Sequence, residues 1–194
     1  MTTVAARPSG SLSRPVVIVV GLAAIVGLRW AATISAAADA IAIGLIFGLG
    51  LLGLAAIAGW RPASERRSSL VIGVAGGGVL VVLAMATRAS LAPSLAPPGP
   101  FVPWAGVTVL VASAEEILLR GALFDELERT IGVGLAVVAT SLVFALMHVP
   151  LYGWGVLPLD FGVGLWFAGL RLATGGIAAP AMAHAMADLA TWWL

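Results

Sequence analysis

Six residues in the C-terminal half of the chain carry the groups from which an acid–base centre is built: Glu115, Glu116, Arg120, His148, His184 and Asp188. Glu115 and Glu116 lie with Arg120 in the run Trp104–Leu123 (WAGVTVLVASAEEILLRGAL), which is otherwise apolar. One acidic or basic residue at the centre of a membrane helix costs roughly 2.5–3.5 kcal/mol. Retaining Glu115, Glu116 and Arg120 together therefore implies a use, either chemistry or the clamping of helices.

The spacing divides the two glutamates. Glu116 and Arg120 stand at i, i+4 with the acid first, the favourable order for a helical ion pair. Glu115 points about 100° away and is left free to act on water or to hydrogen-bond His148. We expect Glu115 to be the general base and Glu116–Arg120 the scaffold that orients it; an exchange of roles is the nearest alternative. His148 closes the run Phe144-Ala-Leu-Met-His148, and His184 shares a helix face with Asp188 at i, i+4. The turn before the next helix falls near Ile131–Gly132. Glu115 and His148 lie equally far from it, about 24 Å at ~1.5 Å per residue, so an antiparallel hairpin is expected to set them side by side. Such a carboxylate–imidazole pair in a low dielectric has the means to activate water. Singly, each feature has a plainer reading: a Glu–Arg clamp, an interfacial histidine, an intrahelical His184–Asp188 hydrogen bond. Together, on three helices, they favour a functional site. Asp39, Asp160 and Arg171 fall near predicted helix ends and read as interfacial, and Met147, Met182 and Met186 as packing.

The elements that position these residues follow from composition. Hydrophobic residues make up 61% of the 194 and charged residues 10%, with a mean hydropathy of +1.09. A soluble domain has about a quarter charged residues, so the expected fold is an all-α membrane protein, a polytopic bundle of about seven transmembrane helices. The spans are expected near 15–30, 40–60, 70–86, 104–129, 132–149, 158–173 and from 177 to the C-terminus. Pro150 should stop the fifth, and the Pro-rich stretch 92–103 (APSLAPPGPFVP) should not be helical. Trp30, Trp60, Trp104, Trp154, Trp192 and Trp193 fall near helix ends, as an interfacial belt would place them. The chain reads as one integral membrane domain: a tail over 1–14, N-terminal helices and a Pro-rich loop over 15–103, and a catalytic core over 104–194. A cleaved signal ending near Ala36–Ala38 is an alternative for the N-terminus; a retained first helix fits better with a chain that is itself membrane-bound. Seven of the ten basic residues, all arginine, fall on one side by alternate loops (Arg7, Arg14, Arg61, Arg66, Arg67, Arg129 and Arg171). The positive-inside rule then sets the N-terminus in the cytoplasm.

Composition also excludes. With no cysteine, disulfides, iron–sulfur clusters, thiolate zinc sites and cysteine nucleophiles are ruled out. A net charge of +1 implies no nucleic-acid partner. The sequence does not decide for or against a cofactor: a Glu/His/His/Asp set could hold a divalent metal such as zinc by ligand type. A metal-free glutamate mechanism needs the same residues.

Glu115-Glu116-Ile-Leu-Leu-Arg120-Gly121, then Phe144-Ala-Leu-Met-His148, then His184-Ala-Met-Ala-Asp188 resemble the ordered motifs of the CPBP family. These are the membrane-embedded CAAX prenyl endopeptidases and bacteriocin-immunity proteins, also called the ABI or CAAX protease 2/lysostaphin-resistance-A-like family. Phe161-Gly-Val-Gly164 and Thr174-Gly175 resemble its glycine-rich segment, and the likeness covers about Val109–Asp188. It implies an intramembrane endopeptidase, metal- or glutamate-dependent, in which Glu115 and His148 activate the water that attacks a peptide carbonyl. His184 and Asp188 would stabilise the oxyanion or hold the site. Many members have Asn where this chain has Asp188; an ionised Asp cannot donate to an oxyanion, so Asp188 would have to be protonated, orient His184 or ligate a metal. The implied partners are the lipid bilayer and a membrane-associated protein or peptide, possible CAAX-type prenylation included, with the oligomeric state open. Arginine without lysine and abundant Ala, Gly and Val point to a bacterial cell membrane. The competing functions are a non-enzymatic immunity-like or ligand-binding membrane protein and, further off, a proton-coupled transporter; no duplicated halves favour transport.

Overall fold

Apolar runs rich in Leu, Val, Ala and Ile become helices because a helix satisfies every backbone polar group internally. The structure, a computed structural model, describes residues 13–35, 39–62, 66–87 and 99–194. In chain order the helices are α1 (Ser13–Thr33), α2 (Ala40–Ile57), α3 (Arg67–Thr87), α4 (Phe101–Glu116), α5 (Phe124–Ile131), α6 (Val133–Tyr152), α7 (Leu157–Thr174) and α8 (Ala178–Ala190). A π-helical stretch, Ile117–Leu123, joins α4 to α5, and a 3-10 turn, Trp154–Val156, leads into α7. No strand occurs among the described residues. Five helical segments there are long and apolar enough to cross a membrane: Arg14–Thr33, Ala40–Ile57, Arg67–Ala86, Val133–Tyr152 and Trp154–Thr174. Large apolar side chains such as Val20, Leu28, Ile46, Val71 and Val82 stand exposed on the outside, the surface expected of a bundle that faces hydrocarbon.

Several boundaries differ from expectation for local reasons. The fourth span begins at Phe101 rather than Trp104, because Pro103 falls in the first turn, where no amide donor is needed. It is also interrupted by the π-helical stretch. α6 runs past Pro150 to Tyr152: a proline so near the end forfeits little of the ladder, and Gly153, at φ 81°, terminates the helix instead. α8 is short, with the chain turning after Ala190. Asp39 caps α2 by accepting from the Ile41 amide at 2.8 Å. The expectations for the tail over 1–12, for Ala36–Ala38, and for the loop residues 63–65 and 88–98 (with them Arg7 and Arg88) fall outside the described residues.

The helix that carries His184 is held by absent side chains. Gly73 and Gly77, one turn apart on α3, face Ala179, Met182, Ala183 and Met186 of α8. A Cβ on Gly73 would lie 2.7 Å from the Ala179 carbonyl oxygen, and one on Gly77 would lie 2.9 Å from the Met186 Cβ. Small residues in this spacing let two membrane helices approach closely. Gly73→Val should therefore push α8 off α3. A drop in the thermal midpoint of the detergent-solubilised protein, absent in Gly78→Ala, is the expected result; Gly78 has nothing within contact of an added Cβ. Equal midpoints for the two variants would show that the close approach contributes nothing.

Candidate active site

Glu115 and Glu116 end α4, Arg120 sits in the π-helical stretch, and His184 and Asp188 lie on α8. Glu115 is 2% exposed, Glu116 and Arg120 0%, and His184 4%. The expected ion pair is present: Arg120 Nη1 donates to Glu116 Oε1 at 2.8 Å. Arg120 Nη2 donates to the Gly164 carbonyl at 3.1 Å, which ties α7 to the same guanidinium. Gly164 allows this, since a Cβ there would meet the Ser141 backbone of α6 at 2.9 Å. The Arg120 guanidinium also lies over the rings of Phe144 at 4.7 Å and Phe167 at 5.4 Å. Two aromatic faces thus stand where water would otherwise solvate the cation.

His184 joins this centre directly. Its Nδ1 hydrogen-bonds Glu116 Oε1 at 3.0 Å; a carboxylate accepts, so Nδ1 is the donor. Its Nε2 lies 3.8 Å from Glu115 Oε2 and 3.5 Å from Asp188 Oδ2. Phe167 stacks on the imidazole at 4.8 Å, and Phe144 meets it edge-on at 5.4 Å. Glu116 therefore holds Arg120 and His184 with a single oxygen. Its other oxygen, Oε2, has no hydrogen-bond partner among the described residues, and the same is true of Arg120 Nε.

His148 sits beside this cluster. Its Nδ1 bonds the Phe144 carbonyl at 2.8 Å. A carbonyl can only accept, so Nδ1 carries the proton and Nε2 presents a lone pair when the ring is neutral. Asp160 Oδ2 lies 3.7 Å from Nδ1, and Tyr152 stacks on the imidazole at 6.0 Å. The ion-pair contact of Glu115 is thus with His184, and that of His148 with Asp160; the charges of His148, His184, Arg29 and Asp188 all act on Glu115. Asp160, read from sequence as interfacial, belongs to the setting of His148. Its signal in the sequence is that of an acid in an apolar helix, in the first turn.

Arg171, also read as interfacial, braces the π-helical stretch from α7. Its Nε donates to the Arg120 carbonyl at 2.9 Å and its Nη2 to Asp125 Oδ1 at 2.8 Å. A π-helical turn departs from the i→i−4 ladder, so a cation from a neighbouring helix can serve the carbonyl of the arginine that matters. Loss of hydrogen bonds from a charged donor costs about 1.5–3 kcal/mol. Arg171→Met should lower stability by about that amount, and Arg171→Lys should restore part of it, as read by reversible unfolding in mixed micelles. A Met variant as stable as the parent would remove Arg171 from this role.

Among the described residues no group of three or more His, Asp or Glu is arranged to hold a metal ion. His184 Nδ1 and Glu116 Oε1 are already bound to each other and to Arg120. The Glu115, His148, His184 and Asp188 set does not form such a group among the described residues.

Residues 97–190 match the family described as Type II CAAX prenyl endopeptidase Rce1-like. The match covers 94 of the 194 residues, all in the C-terminal part of the chain. The Rce1-like segment starts at residue 97 in the Pro-rich stretch of sequence and ends on α8, so it contains all six candidate residues, whereas α1, α2 and α3 precede it. No curated protein and no solved structure matches the chain. The Rce1-like family implies a CAAX-type intramembrane endopeptidase in general, and hence a peptide or protein substrate; the apolar helices suggest a membrane protein.

Proposed function

We propose that this protein hydrolyses a peptide bond of a membrane-associated substrate with water activated by Glu115. One observation carries the reading: inside the Rce1-like segment, Glu116 is engaged by both Arg120 and His184, whereas the equally buried Glu115 is free of any hydrogen bond to them. In the proposed reaction Glu115 takes a proton from water as the oxygen attacks the carbonyl carbon. The new C–O bond forms while the carbonyl π electrons move onto oxygen. His148 Nε2 accepts a second hydrogen bond from that water and aligns it. A doubly protonated His184 donates through Nε2 to the oxyanion, and Asp188 either donates as the neutral acid or orients His184. As the tetrahedral intermediate collapses, the C–N bond breaks and Glu115 returns its proton to the leaving amine. Glu116 and Arg120 hold the geometry throughout. No covalent acyl-enzyme forms.

The site is proposed to lie toward the membrane face opposite the α5–α6 turn, with that turn cytoplasmic. The substrate is proposed to be a membrane-associated peptide, a prenylated CAAX-type peptide being the case the family description suggests. The decisive experiment incubates the purified, lipid-reconstituted protein with a membrane-anchored reporter peptide in H2(18)O. Cleavage with a single labelled oxygen in the new carboxylate, and no trappable acyl intermediate, is the expected result. Intact peptide after exhaustive incubation with a panel of anchored sequences, prenylated ones included, would overturn the endopeptidase reading.

A further inference from the structure

The arginines at the α5 end of the bundle are matched with acids: Arg14 and Arg129 with Glu126, and Arg171 with Asp125. Arg29, near the other end of α1, is different. No carboxylate lies within ion-pair distance of it among the described residues, and its guanidinium rests on the Phe47 ring at 4.3 Å. It is half-buried and lines a groove of about 400 Å³ formed by Trp30 and Thr33 of α1, by Ile34 just after it, and by Pro150, Leu151 and Tyr152 of α6. This groove adjoins the site, since Tyr152 stacks on His148 and the charge of Arg29 acts on Glu115. A cation in a membrane helix is costly unless it meets an anion or water. Here it stands in a cleft that, Thr33 apart, is aromatic and aliphatic, a lining that suits an apolar peptide segment bearing one negative group.

We propose that this groove is a subsite for a carboxylate of the peptide substrate, with Arg29 as the anion-binding group and Trp30, Leu151 and Tyr152 holding the adjoining apolar side chain. The proposal rests on the endopeptidase reading. An arginine can take a carboxylate through two parallel N–H···O bonds, whether the carboxylate is the chain terminus or an Asp or Glu side chain.

The test measures binding in the Glu115→Gln background, so that it does not depend on turnover. Full-length protein in nanodiscs is titrated with one apolar peptide in three forms: free C-terminal acid, C-terminal amide, and amide with a single internal Asp. A carboxylate form is expected to bind about tenfold tighter than the neutral amide. Adding Arg29→Gln should bring the ratio close to one, and adding Arg29→Lys should keep part of it. Which acid form gains identifies the source of the carboxylate. Equal binding of all three peptides, a preference untouched by Arg29→Gln, or displacement of the peptide by short-chain phosphatidylglycerol would overturn the subsite. A preference of this kind in a protein whose native form cleaves none of the peptides would retain the subsite and sink the endopeptidase reading. Cleavage without preference would do the reverse.

Discussion

Glu115→Gln is expected to reduce peptide cleavage by about 10²–10⁴-fold, the contribution of a positioned general base, and to leave the protein folded. Glutamine keeps the size and hydrogen-bonding outline of the side chain but cannot take a proton from water. Glu115 is 2% exposed, and its nearest ion-pair contact is the 3.8 Å approach to His184. Removing its charge therefore breaks no short ion pair, so the unfolding midpoint should hold or rise. Turnover and midpoint must be read on the same reconstituted sample. Unreduced cleavage by the Gln variant would overturn the assignment of Glu115 as base. The role exchange makes a different forecast, in which Glu116→Gln is folded and inactive while Glu115→Gln stays active.

The second large effect is on stability. Arg120 and Glu116 are both wholly buried, and Arg120→Met would leave Glu116 bonded to His184 alone. Breaking one half of a buried ion pair typically costs about 3–5 kcal/mol, because the remaining charge is left uncompensated, whereas replacing both halves by neutral groups of similar volume is far better tolerated. Arg120→Met should therefore unfold at much lower denaturant, and Glu116→Gln/Arg120→Met should regain most of the loss. Two buried groups in direct contact are expected to be non-additive in this way. Additive destabilisation in the double variant would show that the pair does not act as a unit. The cation–π contacts of Arg120 with Phe144 and Phe167 are lost equally in the single and double variants, so they do not account for the difference between them.

Which parts of this arrangement could be read from sequence depends on how local they are. The Glu116–Arg120 pair is an i, i+4 relation and follows from helical spacing alone. So does the place of His184 and Asp188 on one face. The helices themselves follow from apolar runs, and only their ends moved, at Pro103 and Pro150, where a proline's effect depends on its position in the turn. What spacing could not supply is the partner of each histidine. Equal depth along a hairpin points to His148 for Glu115, and the charge of His148 does act on that carboxylate; the added ion-pair contact with His184, from a helix far along the chain, is what spacing does not supply. The π-helical stretch Ile117–Leu123, which changes the rotation of everything before it relative to everything after, is likewise not legible from spacing. The grip of α3 on α8 through Gly73 and Gly77 was equally hidden, because two glycines in an apolar run do not announce which helix they face. Asp160 and Arg171 were legible as charges but not as partners, since their contacts cross between helices.

The shortness of α8 reaches beyond the protein. Its 13 residues span about 20 Å, against about 30 Å of hydrocarbon in a typical bilayer. If the bundle sits in a bilayer as proposed, lipid near that helix would thin, or the helices packed around it would tilt, at a modest cost per ångström of mismatch. His184 and Asp188 sit in this short helix, so thinning there would bring interfacial water closer to the buried carboxylates. The acyl-chain length of the surrounding membrane then becomes a physical variable of the site, acting on a reaction whose second substrate is water.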